Sequence, residues 1–595
     1  MKKIVSFFAT LMASIMLLTS FAACNGGSDS SSTSDSSGGS VITPSDYIER
    51  PDANTDGAYG AGRVLDIYLW TGSGSTQETM NPIIAEWKER VKERFAFDLR
   101  FHFDTQDVYK TKLTLSMSGA SDKYDLIFDA PWMFLTEWAQ EGYYTDMTGY
   151  FKNPNFPGLE KAFTDEYLGN NMFKGPDGEM GIYAAPLTEN FGGGAPVVFY
   201  REDWRKEAVA AGASELANGI NELEDFEAYL AWVKANKVGI RAPFGQQNDG
   251  AYDALSIIEQ NAGSIPAVQY NNAGIKVGIS LSPQLDASAY INPENDKVEE
   301  ALIRFEKPGA ESVYPAPFNT TNTAWQEHVV RAREWYENGW IYSDVLSETD
   351  YVTQFLAGQY GSIFRDVNEY STYLNALKQV DPNAELEIYI PDKNMREKKE
   401  GVLSSSFQAW NFLGIPTFSN DKDLAVLFLD WLFESRENHD LFQYGIEGIH
   451  WNKIDNAETG SYQISTEGCE KYAFDAYTLT WNPTYLRMPA DWSEKATAYK
   501  LYVDNLTTYV KSPYAGFRFD ASVNAVKNAL LNPDIAAAAS QGIPYRLGVI
   551  ENTVANYAAM QQGWYNNETL QADLLTIKNE LKRQLQEYVN ANKGE

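Results

Sequence analysis

Apolar positions recur with two periods along this chain, and the two alternate. Val64-Leu65-Asp66-Ile67-Tyr68-Leu69-Trp70 has the composition of a strand and is broken by Thr71-Gly72-Ser73-Gly74. Ser75 and Glu78 then stand at capping-box spacing, before a helix whose Met80, Ile83, Ile84, Trp87 and Val91 share one face. Phe97, Leu99, Phe101 and Phe103 alternate with Asp98, Arg100 and His102, the pattern of a half-buried strand. A helix over Asp107 to Met117, a strand over Tyr124–Phe128 and a helix over Phe134–Gln140 follow. This βαβα order predicts a mostly parallel sheet with helices on both faces. Further on, Leu223–Asn236, Thr323–Asn338, Asp421–Ser435 and Leu570–Asn592 have helical periodicity with charged outer faces. No repeat of 20–50 residues is visible.

The chain has 595 residues and a net charge of −33. A body of this size exceeds a single core and divides into lobes. Its charge opposes phosphate backbones and anionic lipid surfaces, which sets nucleic acid aside as a partner. Two cysteines cannot form a disulfide framework, and four histidines without a Cys/His cluster suggest neither a metal site nor a cofactor.

The N-terminus carries its own signal. Lys2 and Lys3 precede an apolar stretch, Ile4 to Phe21, that ends in the small residues Ala22 and Ala23, so residues 1–23 read as a secretory signal. Cys24 follows, and Asn25 to Ser40 is nearly all Ser, Gly and Asp. Phe21-Ala22-Ala23-Cys24 resembles a bacterial lipobox, with Phe where Leu is usual. The resemblance implies a lipidated (palmitate-bearing) Cys24 as mature N-terminus, and residues 24–60 as a tether. A flexible chain of that length holds the body about 30–35 Å from a membrane. The other cysteine, Cys469, has no base-bearing motif beside it that would activate a thiol.

Several segments of the body, in order, resemble one family. They are Tyr124-Asp125-Leu126-Ile127 with Leu135-Thr136-Glu137-Trp138-Ala139 and Gly142–Thr148, then Gly181-Ile182-Tyr183-Ala184-Ala185-Pro186, Val198–Asp203, Leu223-Glu224-Asp225-Phe226, Phe355–Gly361 and Gly445-Ile446-Glu447-Gly448-Ile449-His450-Trp451. Together they are similar to the bacterial extracellular solute-binding proteins, the lipid-anchored receptors of ABC importers, in their large carbohydrate-associated cluster. The resemblance implies an α/β fold of two lobes with a ligand cleft between them, closing by a hinge motion. It places lobe 1 at 61–187 plus 350–405 and lobe 2 at 190–347 plus 410–595. Crossings are expected near Leu187–Ala195, Ser347–Gln359 and Ser404–Gly414. The calcium loop of alginate-type relatives is not carried over, because no D-x-D-x-D-G spacing is present.

A sugar offers an apolar ring face and a rim of hydroxyls, so its site needs aromatic planes with carboxylates, amides and arginine around them. Aromatic residues make up 14% of the chain, which permits stacking without locating it. Position is more selective. Trp70 ends the first strand, and Asp129 and Trp132 follow the end of another. Tyr200 and Arg201 lie beyond the first crossover, and Arg365 and Asp366 follow a strand. Gln408 and Trp410 fall in a crossing, Glu447 and Trp451 in the Gly-Ile-Glu-Gly turn, and Trp481 in a loop. Each has a plain structural alternative as core aromatic, capping carboxylate or ion pair.

The expected function is a monomeric lipoprotein receptor at the outer face of the cytoplasmic membrane of a Gram-positive cell. It would bind an oligosaccharide or related glycan and deliver it to ABC permease subunits. A peptide or other non-sugar receptor would share the fold. A lipid-anchored glycoside hydrolase would need two carboxylates about 5–5.5 or 6.5–9.5 Å apart, and no Gly-x-Ser-x-Gly or His-Glu-x-x-His motif marks another hydrolase. Binding without chemistry is the favoured reading.

Overall fold

The computed structural model describes residues 47–591, apart from 56, 73, 120–122, 188–194, 248–251, 262–268, 270–271, 283, 308–323, 456–461, 481, 483–484, 512–514 and 522. The leader, Cys24, the Ser/Gly-rich tether and Trp481 lie outside the described residues.

The first sheet has five strands in the order Asp98–Asp104, Val64–Trp70, Leu126–Asp129, Asn411–Gly414, Ala184–Leu187. The first three are parallel, with Ile67 opposite Phe101 and Tyr68 opposite Ile127. Asn411–Gly414 runs antiparallel to both of its neighbours. Leu126–Asp129 is buried at all four positions, as befits a central strand covered on both faces. The helix Gln77–Val91 buries the five residues its periodicity selects. Its cap is Thr76, whose side chain accepts from the Thr79 amide, in place of the expected Ser75.

Lys422–Glu434 is the central helix of this lobe, buried without interruption from Leu424 to Phe433. Its one buried acid, Asp430, accepts from the amides of Gly158 (2.8 Å) and Leu159 (3.2 Å) at the start of helix Pro157–Ala162. The two backbones meet there so closely that a Cβ on Gly158 would lie 1.8 Å from the Asp430 carbonyl oxygen.

The second sheet has the order Leu386–Tyr389, Pro196–Arg201, Tyr360–Asp366, Ala242–Gly245. Here Pro196–Arg201 is the reversed strand, and the other three are mutually parallel. Side chains alternate between two cores: Val197, Phe199, Ile363 and Ile388 face Tyr373 and Tyr499, while Val198, Tyr200, Phe364 and Tyr389 face Phe226 and Trp335. The helix Leu223–Asn236 opens on a reciprocal capping box between Glu222 and Asp225.

A third layer, which periodicity alone does not predict, is an antiparallel meander of Ile275–Ser282, Leu285–Asn292 and Lys297–Ile303. The helix Glu568–Ala591 packs on it through Leu570, Leu574, Ile577, Leu581, Leu585 and Val589. The sequence places these strands at 8–12-residue spacing between turns, a hairpin signal hidden by the surrounding helical patterns.

The division of the chain between lobes differs from the expected one. Segment 350–405 belongs with the second lobe, because Tyr360–Asp366 pairs between Pro196–Arg201 and Ala242–Gly245. Segment 411–489 returns to the first lobe. The expected crossing at Ser347–Gln359 is therefore absent, since those residues stay in the second lobe. Crossings run from Leu187 to Ala195, from Ser405 to Asn411, and from Pro489 to Glu494.

Replacing Gly158 by Ala should break the contact between the two helices, because backbone rather than a flexible side chain occupies the space. We expect a loss above the ~1–3 kcal/mol usual for overpacking, read as a lowered melting temperature. An unchanged melting temperature would show that the helices separate freely.

Candidate functional site

In both sheets the carboxyl ends of the parallel strands share an edge with the crossings, and open α/β sheets bind ligands at such an edge. In the first lobe Val64–Trp70 and Leu126–Asp129 end there, and the reversed Asn411–Gly414 begins there. Three tryptophans from distant parts of the sequence thus reach one edge.

Trp132 is 46% exposed and Trp410 is 61% exposed. These are unusual values for indoles in a chain whose other large aromatics are mostly core, and they leave planes open to a ligand. The Trp132 Nε1 donates to Asn411 Oδ1 at 3.3 Å, which links the two aromatics through the residue after Trp410. Lys110 holds its ammonium 5.1 Å from the Trp132 ring centroid. Trp70 is half-buried, edge-on to Tyr477 (5.5 Å) and Phe128 (6.4 Å). Its buried Nε1 has no hydrogen-bond partner among the described residues. The loop after Trp70 is tied down by Asp475, which accepts from Thr71 Oγ1 (2.6 Å) and the Gly72 amide (3.0 Å). Lys110, Asn411, Asp475 and Tyr477 were not singled out in the sequence; only the adjacency of Asn411 to Trp410 pointed to any of them.

Asp129 lies at this edge but is committed elsewhere. It is fully buried and accepts from the amides of Ala130 (2.7 Å) and Phe134 (3.2 Å) and from Tyr144 Oη (2.6 Å). It folds the loop that presents Trp132 and is not open to sugar hydroxyls. Burial pushes its pKa up to about 7 against the pull of these donors.

On the second lobe Asp366 lies at the corresponding edge of its own sheet, where its carboxylate accepts from the amides of Ala195 (2.6 Å) and Asn368 (3.0 Å) and so pins the end of a crossing. Arg365 pairs with Glu369 (2.9 Å) and lies 4.9 Å from the Tyr252 ring. Tyr200 and Arg201 sit at the opposite end of the sheet. Their strand is reversed, so only its start, Pro196, lies at the cleft edge opposite Asp366. Tyr200 is buried in the core, and Arg201 is buried between Asp203 (2.6 Å) and Asp381 (2.5 Å). Neither is open to a ligand.

Trp451 is also a correction. It is 3% exposed, donates from Nε1 to the Gly445 carbonyl (2.9 Å) and lies under Arg487, 5.4 Å from its ring. Glu447 is exposed on the same turn. Gln408 is half-buried in the crossing, with its buried Nε2 lacking a partner among the described residues. Its neighbours are held by Asn171, which donates to the Phe407 carbonyl (2.7 Å) and accepts from the Ala409 amide (2.7 Å). Among the described residues no group of three or more His, Cys, Asp and Glu could hold a metal ion. No described helix is long and apolar enough to cross a membrane.

This geometry can be set beside known proteins. No protein-family model matches the sequence, and no curated protein matches it either. Solved structures do. The N-glycan transport solute-binding protein NgtS from Streptococcus pneumoniae aligns over 89% of this chain and 99% of its own, at TM-score 0.59 and 18% identity. The same protein in complex with Man1GlcNAc aligns at TM-score 0.54 and 18% identity, over 89% of this chain and 100% of its own. The alginate-binding protein AlgQ2 aligns over 91% of this chain and 100% of its own, at TM-score 0.51 and 14% identity. The chain therefore has the fold of the bacterial extracellular solute-binding proteins. Its whole body, and not one lobe, carries the likeness.

Asp129→Asn should keep the turn, since an amide oxygen accepts from the same backbone donors. A carboxyl whose folded pKa lies above its unfolded ~3.9 stabilises the fold below pH 4 and loses that contribution as pH rises toward 7. The unfolding free energy of the wild type, measured by urea titration, should thus fall between pH 4 and 7 by more than that of the variant, by of order a few kcal/mol. Parallel pH profiles would show that Asp129 is ionised at no cost.

Proposed function

We propose that this chain is the substrate-binding component of an ABC importer, and that it takes an oligosaccharide or related glycan in the cleft between its two lobes. The observation that carries the reading is the exposed pair Trp132 and Trp410 at the strand-end edge, joined through Asn411. Two indole planes beside an amide and an ammonium suit the apolar face and hydroxyl rim of a pyranose. A structure of NgtS holds Man5GlcNAc, and its fold matches this one at TM-score 0.50 and 18% identity, over 90% of this chain and 100% of that one. That likeness favours a glycan over a peptide.

Transport follows from the two-lobed body. A ligand bridging the lobes binds the closed arrangement better and shifts the population toward it. The closed form is then what permease subunits recognise. Cys24, lipidated after removal of residues 1–23, anchors the receptor to the outer face of the membrane, with residues 24–60 as tether. Binding and delivery need no catalytic pair, so turnover is not expected.

Calorimetric titration with a panel of defined oligosaccharides tests this. Trp132→Ala and Trp410→Ala should each weaken the best ligand at least tenfold, about 1.4 kcal/mol, without shifting the melting temperature of the free protein. Binding of peptides alone, or sugar binding indifferent to both variants, would contradict the assignment.

A further inference from the structure

A cavity of about 220 Å³ lies in the third layer, outside the strand-end tryptophans. Its walls come from the end of strand Lys297–Ile303 and from helices Pro533–Arg546 and Thr553–Asn566, with Arg304, Arg546, Tyr557, Gln561, Trp564 and Tyr565 among them. Its volume is below the roughly 300–1,000 Å³ of sites that enclose whole drug-sized ligands, which suits a single sugar ring.

The cavity is held in shape. Phe305 adopts φ 69°, a left-handed conformation unfavourable for an aromatic residue, and packs edge-on to Trp564 at 4.9 Å. Gln571 fixes that conformation by donating to the Phe305 carbonyl (3.1 Å) and accepting from the Lys307 amide (2.9 Å). Trp564 donates to Gln541 Oε1 at 2.8 Å, and Tyr557 stands edge-on to it at 6.3 Å. Arg304 points a guanidinium along the Phe305 ring at 4.9 Å and is exposed, with no ion pair among the described residues. In a chain of net charge −33 an arginine without an acid partner is uncommon, and its donors are left for something else.

Arg546, in the cavity wall, ties the third layer to the second lobe. Arg546 is bound to buried Asp253 (2.7 and 3.1 Å) and to Ser256 (2.7 Å). Asp253 begins the helix that follows the carboxyl end of strand Ala242–Gly245, and Gln246 there accepts from the Ala254 amide at 2.8 Å. One wall of the cavity is thus rooted at the edge of the second sheet that faces the crossings.

We propose that this cavity is a second saccharide subsite, which holds a distal ring of a ligand whose other end stacks on Trp132 and Trp410. Tyr565 and Tyr557 supply apolar walls, Arg304 and Gln561 supply donors to ring hydroxyls, and Glu306, held by Lys578 at 2.8 Å, adds a carboxylate acceptor. The inference rests on the saccharide reading given above and adds that the receptor selects by ligand length.

The test is a glycan array of defined oligosaccharides of two to ten units, followed by titration of those that bind, with wild type, Tyr565→Ala and Arg304→Ala. Both variants should bind the shortest recognised glycan within twofold of wild type and the longest at least tenfold more weakly. If Tyr565→Ala lowers the melting temperature, Arg304→Ala, a change at an exposed side chain, decides. Equal binding of all glycans by wild type and variants, equal losses for short and long glycans, or a wild type with no gain in affinity with length would each overturn the subsite while leaving the cleft reading intact. An array on which wild type binds nothing would overturn both.

Discussion

The strand Asn411–Gly414 enters an otherwise parallel sheet in reverse, and much of the site depends on that one direction. A chain returning from the other lobe arrives at the cleft edge, so it must run away from it. Its first residues then lie beside the last residues of its parallel neighbours, which puts Trp410 and Asn411 next to Trp132. The second sheet repeats the arrangement. Pro196–Arg201 arrives from the first lobe, starts at the cleft edge and carries Tyr200 and Arg201 to the far end. The same constraint therefore assembles one set of candidate residues and removes another.

A receptor that closes as proposed needs crossings firm enough to keep the lobes in register and free enough to let them rotate. Asn171 serves the first need, since it is buried and binds backbone groups on both sides of Gln408. Asp366 does the same for the crossing that ends at Ala195. Both are side chains of short reach bonded to main chain, so each lobe holds its own end of a crossing. The short parallel pair Leu403–Ser405 and Tyr509–Lys511 adds a narrow ribbon where the crossing from Ser405 to Asn411 begins. Among the described residues no sheet joins strands of both halves, and the proposed hinge motion would be absorbed at such places.

How much of this was legible in the sequence differs by level. The helices at 77–91, 223–236 and 568–591 were readable because each buries a periodic stripe, and periodicity is local, whereas 422–434 is buried on every side from Leu424 to Phe433 and lacks the charged outer face expected of it. Strand partners were not readable. The swap of segment 350–405 between lobes turns on which sheet Tyr360–Asp366 joins, and its apolar run suits either. Site residues fared according to what their neighbours use. Trp132, Trp410 and Trp451 look alike as loop aromatics, yet only Trp451 has a backbone carbonyl and an arginine ready to bury it. Asp129 has the look of a hydroxyl acceptor at a strand end, but the turn that follows it supplies two amides and Tyr144 a phenol. Such competition within a few ångströms leaves no trace in composition or spacing.

The account stands or falls on closure around a sugar. Small-angle X-ray scattering of the body without its leader and Cys24, titrated with the oligosaccharide that binds most tightly, tests it most directly. The account predicts a smaller radius of gyration that saturates with occupancy and does not appear for Trp132→Ala at the same sugar concentration. An unchanged scattering profile at full occupancy would contradict a receptor that works by lobe closure.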